Sequence, residues 1–287
     1  MNVKIATAQY NISFLETWQN YQDKITIWVD EAAQQDAKIL LFPEYASMEL
    51  ASLFEEEIYS SLSKQLDAMQ TLHDDYLELF QSLAKQYQCY IQAGTFPVRT
   101  ESGAYRNRAY LFMPDGHFDY QDKLMMTRFE NEQWLIQSGT EIKCFTTEYG
   151  KIAINICYDS EFPLLARTQV EAGCVLILVP TCTDTIAGYN RVKIGCQARA
   201  LESQCYVVQS SLVGDAPWSE AVDVNVGLSA IYTPVDRGFP DDGILATGAF
   251  NAVQWVIAEI CLDDIETVRQ QGQVFNYRDW SLQNRFR

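Results

Sequence analysis

The residue whose setting suggests the most chemistry is Cys157, in the run Ile154-Asn155-Ile156-Cys157-Tyr158-Asp159-Ser160-Glu161-Phe162-Pro163. A thiol attacks an amide carbon only as thiolate, and with an ordinary pKa of about 8.5 little of it is ionised at neutral pH. It therefore needs a base or a nearby cation. Residues 151–156 are short, rich in β-branched side chains and preceded by the turn signal Tyr149-Gly150, which reads as a buried strand. Pro163 suits the first turn of a helix, Asp159 and Ser160 are capping candidates, and Leu164 to Arg167 continue in helix formers. The expected geometry is strand, sharp turn, helix, with the thiol at the turn. In open α/β sheets that edge is where ligands bind. The other reading of the stretch is a small buried hydrophobe, the usual fate of a free cysteine.

A histidine base is not expected. The chain has two histidines. His117 follows the hairpin signature Pro114-Asp115-Gly116 and His73 lies among charges on an expected helix, so each reads as a solvated surface residue. The 8 cysteines are scattered with no C-x-x-C pair, so they read as reduced thiols and not as a disulfide framework or zinc site.

Formal charge is −17, from 38 acidic against 21 basic residues. Nucleic acid and anionic membranes recruit basic surface, so neither is an expected partner. No signal-peptide pattern, bilayer-length apolar run, linker or repeat stands out, and the expectation is one soluble cytoplasmic domain over residues 1–287.

The elements that must carry the thiol alternate along the chain. Residues 3–9 and 38–42 read as strands flanking an amphipathic helix with Trp18, Tyr21, Ile25, Val29 and Ala32 on one face, a βαβ unit. A helix over 61–88 leads to a strand at 89–96, and 106–113 and 117–123 form a hairpin through Pro114-Asp115-Gly116. After the cysteine come a strand at 174–180, a helix at 190–203, strands at 205–211, 226–232 and 252–260, and a short helix near 262–271. Strand and helix alternation with interspersed hairpins indicates a layered α/β protein with mixed sheets.

Glu44, in Leu40-Leu41-Phe42-Pro43-Glu44-Tyr45, and Lys123, in Tyr120-Gln121-Asp122-Lys123, each follow an expected strand. Taken singly, a charged residue there is most often solvated. Taken in order with 156–163, the three segments resemble the nitrilase superfamily of carbon–nitrogen hydrolases, on its amidase-like side. The resemblance runs through IATAQY at 5–10, RNRAYLFMPDG at 106–116, ARALESQCYVV at 198–208 and GLSAIYTP at 227–234. It implies a four-layer α-β-β-α sandwich, a Glu44, Lys123, Cys157 triad, no metal or organic cofactor, and a homodimer or larger homo-oligomer built through the helices after the cysteine. A second family glutamate falls on Glu132, with Glu130 close by.

The implied roles fit the residue types. Glu44 is the base, and burial would raise its pKa towards a value suited to proton shuttling. Lys123 and the backbone N–H of Tyr158 would hold the developing oxyanion. Glu132 would orient Lys123 or the substrate. Tyr158-Asp159 after the cysteine, where true nitrilases usually have Trp-Glu, looks like the amidase side. Glu161 stands near where relatives acting on carboxylate-bearing substrates place an arginine, which favours a neutral or cationic small-molecule amide. The other side of that reading is that Glu161 points away and caps the helix. Asp184, Trp218 and Asp223 are candidate pocket lining. The alternatives are an N-carbamoyl-amine hydrolase, or a partner-dependent or non-catalytic protein that keeps the fold.

Overall fold

Alternation decides which way each strand faces. The computed structural model describes residues 1–286. Its strands are β1 Asn2–Asn11, β2 Ile39–Phe42, β3 Tyr90–Arg99, β4 Tyr105–Phe112, β5 Phe118–Asp122, β6 Phe145–Thr147, β7 Gly150–Ile154, β8 Cys174–Thr181, β9 Tyr206–Asp215, β10 Val224–Asn225, β11 Ala230–Tyr232, β12 Ile244–Thr247 and β13 Gln254–Cys261. The helices are α1 Trp18–Ala33, α2 Glu56–Tyr59, α3 Leu62–Met69, α4 His73–Tyr87, α5 Pro163–Glu171, α6 Ile186–Ser203, α7 Asp263–Gln271 and α8 Asn276–Asp279. On β1 and β2, Ala6, Ala8, Tyr10, Leu40 and Phe42 join one apolar cluster with the buried faces of α1 and α4. Their neighbours Val3, Ile5, Ile39 and Leu41 join a second cluster with β7, β8, β9 and the inner faces of α5 and α6. A period of two thus sends each strand's side chains into two different layers.

The strand order β5-β4-β3-β2-β1-β9-β8-β7-β6 bends at β1. Most of β1 pairs antiparallel with β13, from Asn2 to Gln9. Only its end, Gln9 to Asn11, pairs parallel with Ser211 to Val213 of β9. Two sheets are thereby hinged along one strand and stacked between helical layers, an α-β-β-α sandwich with mixed strand directions. Among the described residues no helix is long and apolar enough to cross a membrane.

The helix expected over 61–88 is broken. A 3-10 turn at Gln70–Leu72 separates α3 from α4. The Gln70 side chain donates to the Pro97 carbonyl at 2.7 Å and accepts the Arg99 N–H at 2.9 Å, so β3 captures the end of α3 and bends the chain. The strand expected over 226–232 is confined to Ala230–Tyr232. Before it, Gly227 and Ser229 give their N–H groups to the side chains of Asn251 and Gln9, which replaces a ladder.

His73 is not a solvated residue. It starts α4 half-buried, its Nε2 lies 2.8 Å from the Tyr110 hydroxyl, its ring packs on Phe96, and burial lowers its pKa.

Candidate functional site

Glu44, Lys123 and Cys157 leave the ends of β2, β5 and β7 and meet in one cavity of about 370 Å³. Each side chain is buried. Backbone strain sits at two of these exits. Tyr45, directly after Glu44, has φ 58°, and Cys157 itself has φ 47°. Left-handed geometry costs a non-glycine residue about 1–3 kcal/mol and persists where surrounding contacts enforce it. At Tyr45 the enforcing contacts are its N–H on Thr95 Oγ1 at 2.8 Å and Ser47 Oγ on the Thr95 carbonyl at 2.7 Å. The Cys157 carbonyl is held by Ser160 Oγ at 2.7 Å, and α6 presses against the same turn. A Cβ on Gly195 of α6 would stand 2.9 Å from the Ser160 oxygen, so only glycine lets the helix come this near.

Lys123 Nζ donates to Glu44 Oε1 at 2.7 Å and to both oxygens of Glu130, at 2.8 and 2.7 Å. Asn107 Nδ2 bridges the two carboxylates, at 2.8 Å to Glu44 and 3.2 Å to Glu130. The Tyr45 hydroxyl donates to Glu130 at 2.6 Å, and the Cys182 N–H donates to the other oxygen of Glu44 at 3.1 Å. The thiol donates to the Cys182 carbonyl at 3.7 Å, and the Glu44 charge acts on it within the same cavity.

Burial pushes Glu44 above the usual carboxylate range, and Lys123 pulls against that shift. Burial also resists the charge on Lys123, but Glu130 and Glu44 outweigh it and the ammonium is held well above its ordinary value. Glu130 moves the other way from Glu44: burial raises it, yet Lys123, Tyr45 and the Thr127 N–H together bring it below the normal range. The Cys157 thiol is raised well above the thiol range by burial and by the Glu44 charge. The resting pair is therefore a neutral thiol beside a carboxylate that binds protons readily. Such an arrangement favours proton transfer concerted with attack over a preformed thiolate.

The expected second glutamate, Glu132, is not in this network. It is exposed and pairs with Arg128 at 2.8 Å, while Glu130 occupies the place beside Lys123. The segment Glu130–Trp134 winds as a π-helical turn, which rotates Glu130 inward and Glu132 out. A sequence signal was available. Thr127-Arg128-Phe129-Glu130 has capping-box spacing, and the Thr127 N–H and hydroxyl meet Glu130 Oε2 at 2.9 and 2.8 Å while the Glu130 N–H returns to Thr127 Oγ1 at 3.3 Å.

Asp159 and Ser160 do not cap the following helix. The N-cap of α5 is Phe162, without a side-chain bond. Glu161 neither caps nor turns away: it lines the cavity, 3.5 Å from Arg191 Nε on α6. Asp184 and Asp223 are at the cavity wall. Trp218 is not. It lines a neighbouring recess with Ser60 and Pro217, held edge-on against Phe14 and Tyr59. Tyr158 borders the cavity, its ring edge-on to Phe162. Asn107, Tyr45 and Cys182 are the members that sequence reasoning did not single out.

A family model for the carbon-nitrogen hydrolases matches residues 4–270. The chain is 36% identical over 277 residues to "Probable hydrolase YhcX" of Bacillus subtilis (strain 168), covering 96% of this chain but 53% of that protein, about half its length. It is 27% identical over 252 residues to "Omega-amidase NIT2-B" of Xenopus laevis, covering 85% of this chain and 83% of that one. The fold is similar to a crystal structure of a carbon-nitrogen hydrolase from Helicobacter pylori G27, with TM-score 0.78, 16% identity and coverage of 94% and 92% of the two chains.

Proposed function

The chain belongs to the carbon-nitrogen hydrolase family, and from that premise we propose that it is an amidase working through a thioester on Cys157. Glu44 takes the thiol proton as Cys157 attacks the amide carbon. Lys123 and the Tyr158 N–H stabilise the tetrahedral oxyanion, and Glu44 returns the proton to the departing ammonia or amine. A water activated by Glu44 then hydrolyses the thioester. Glu130 takes the role first given to Glu132, holding the ammonium in place. The observation that carries this reading is the buried cluster in which one lysine spans two carboxylates in the cavity that also holds the Cys157 thiol. The relatives named as amidases support it.

The substrate we propose is a neutral or cationic amide. Both arginines on the cavity wall already have acidic partners, Arg191 with Glu161 and Arg128 with Glu132. Asp184 and Asp223 are in no ion pair among the described residues. A substrate carboxylate would thus meet acids and no free cation.

The deciding experiment is ammonia release from a panel of neutral, cationic and anionic amides, carbamoyl-amines and nitriles, on wild type and Cys157→Ala. The expected result is turnover that is best on neutral or cationic amides and is lost in the variant. Preference for carbamoyl-amines would replace the amidase reading with its nearest alternative. A silent wild type with no acyl adduct on Cys157 by intact mass would favour a partner-dependent or non-catalytic role, a reading to which the greater length of the Bacillus subtilis relative lends some support.

A further inference from the structure

Asp159 is a fully buried carboxylate that the proposed reaction does not use. It makes no ion pair among the described residues; Lys123 is the cation that acts on it, at longer range. Its partners are backbone N–H groups. Oδ1 accepts from Met125 at 2.7 Å and from Leu124 at 3.1 Å, and Oδ2 accepts from Ile156 at 3.0 Å and, in a longer bond, from Leu124 at 3.3 Å. Leu124 and Met125 directly follow Lys123, beyond the end of β5 at Asp122, and Ile156 directly precedes Cys157. One side chain therefore joins two irregular segments, one carrying the candidate cation and the other the candidate nucleophile.

Burial raises this carboxyl to about 7, against Lys123 and the three N–H donors, so its placement opposes desolvation. A neutral residue would avoid that cost, but only a carboxylate presents two acceptor oxygens, one taken here by Met125 and the other by Ile156. The amide of an asparagine offers one oxygen and turns an NH2 towards a backbone N–H on the other side.

We propose that Asp159 is a positioning residue: a two-sided strut that sets the separation of Lys123 and Cys157. The inference rests on the amidase reading for its kinetic form. A misplacement of about 1 Å between reacting groups can cost on the order of 100-fold in rate.

The test compares wild type with Asp159→Asn and with Met125→Pro, which deletes a donor at the far end of the strut and leaves Asp159 in place. For Asp159→Asn the expected result is cooperative thermal unfolding, kcat reduced about 100-fold and KM within about threefold of wild type. For Met125→Pro a smaller kcat loss, about tenfold, is expected with KM retained. A kcat within threefold of wild type in Asp159→Asn, or a loss expressed mainly in KM, overturns the proposal. If Asp159→Asn does not fold, the same limits applied to Met125→Pro decide it. Should wild type turn over no amide, the amidase reading fails separately, and the strut is read from peptide-mapped iodoacetamide labelling of Cys157. A labelling rate at least tenfold lower in Asp159→Asn supports it, and an unchanged rate overturns it.

Discussion

Lys123 gives Glu130 two hydrogen bonds, 2.8 and 2.7 Å, and Glu44 one, at 2.7 Å. The two carboxylates share one ammonium yet their pKa values are shifted in opposite directions, because Glu130 also receives the Tyr45 hydroxyl and the Thr127 N–H and hydroxyl. More donors favour its charged form. Glu44 receives fewer and is raised by burial. In the proposed mechanism that divergence makes Glu130 the fixed counter-charge and Glu44 the proton carrier, two acids in one site taking different parts.

Replacing Glu130 by glutamine removes one of the two charges on Lys123 and puts an NH2 against the ammonium. We expect kcat to fall on the order of 100-fold, the scale of losing one electrostatic stabiliser. Glu132→Gln, which alters only an exposed pair with Arg128, should leave kcat within about twofold, since such pairs contribute little. Steady-state kinetics of the two variants side by side would reverse the assignment if Glu132→Gln were the damaging one.

The pH dependence follows from the shifts of Glu44, Cys157 and Asp159. Glu44 must be ionised in the free enzyme to accept the thiol proton, and its pKa is raised by burial. Activity is therefore lost as pH falls through a value above the ordinary glutamate pKa of about 4.3. The Cys157 thiol is raised well above its range, so it stays protonated across neutral pH and adds no limb there. Asp159, raised to about 7 by burial, must also be ionised to accept on both oxygens, so a profile of kcat/KM should show an acid limb displaced upward, extending to about 7, and then a plateau. An acid limb at the ordinary carboxylate pKa would contradict the burial argument.

The fold was legible where periodicity is strong and local. Residues 38–42 end in a buried strand just before Glu44, Pro114-Asp115-Gly116 closes the β4–β5 hairpin, and Cys157 does follow a strand into a turn. What escaped depends on groups distant in sequence. The break at Gln70 is made by β3. Glu130 is the exception, since its cue is local: the capping-box spacing from Thr127 marks the acid that the π-helical turn faces inward, although the family resemblance falls on Glu132. Trp218 carries the composition of a pocket wall, but its contacts are with Phe14 and Tyr59, some two hundred residues earlier for the first. The strand β12, with its intermediate and exposed side chains, offers no apolar alternation to read.

Oligomerisation can be tested on the helices after the cysteine. α5 and α6 leave Leu164, Ile186, Ile194 and Leu201 exposed. Apolar side chains gathered on neighbouring surface helices favour burial against a partner. We expect a homodimer or larger assembly by light scattering on a sizing column, and dissociation to monomer in Ile194→Glu. A monomeric wild type would remove this expectation.

The close approach of α6 to the cysteine turn gives the last prediction, one in which two effects compete. Alanine in place of a mid-helix glycine stabilises by about 1 kcal/mol through backbone entropy. At Gly195 the new Cβ would stand 2.9 Å from the Ser160 oxygen and 3.2 Å from its carbonyl carbon, and these are backbone atoms. The turn cannot yield without moving Ser160, which holds the Cys157 carbonyl. Overpacking of this kind costs about 1–3 kcal/mol, so the clash should outweigh the propensity gain. Gly195→Ala is expected to lower the thermal midpoint and to reduce kcat beyond what the lost stability explains. If the midpoint rose and kcat were unchanged, the turn would be free to shift, and the left-handed backbone at Cys157 would not depend on the seat that α6 provides.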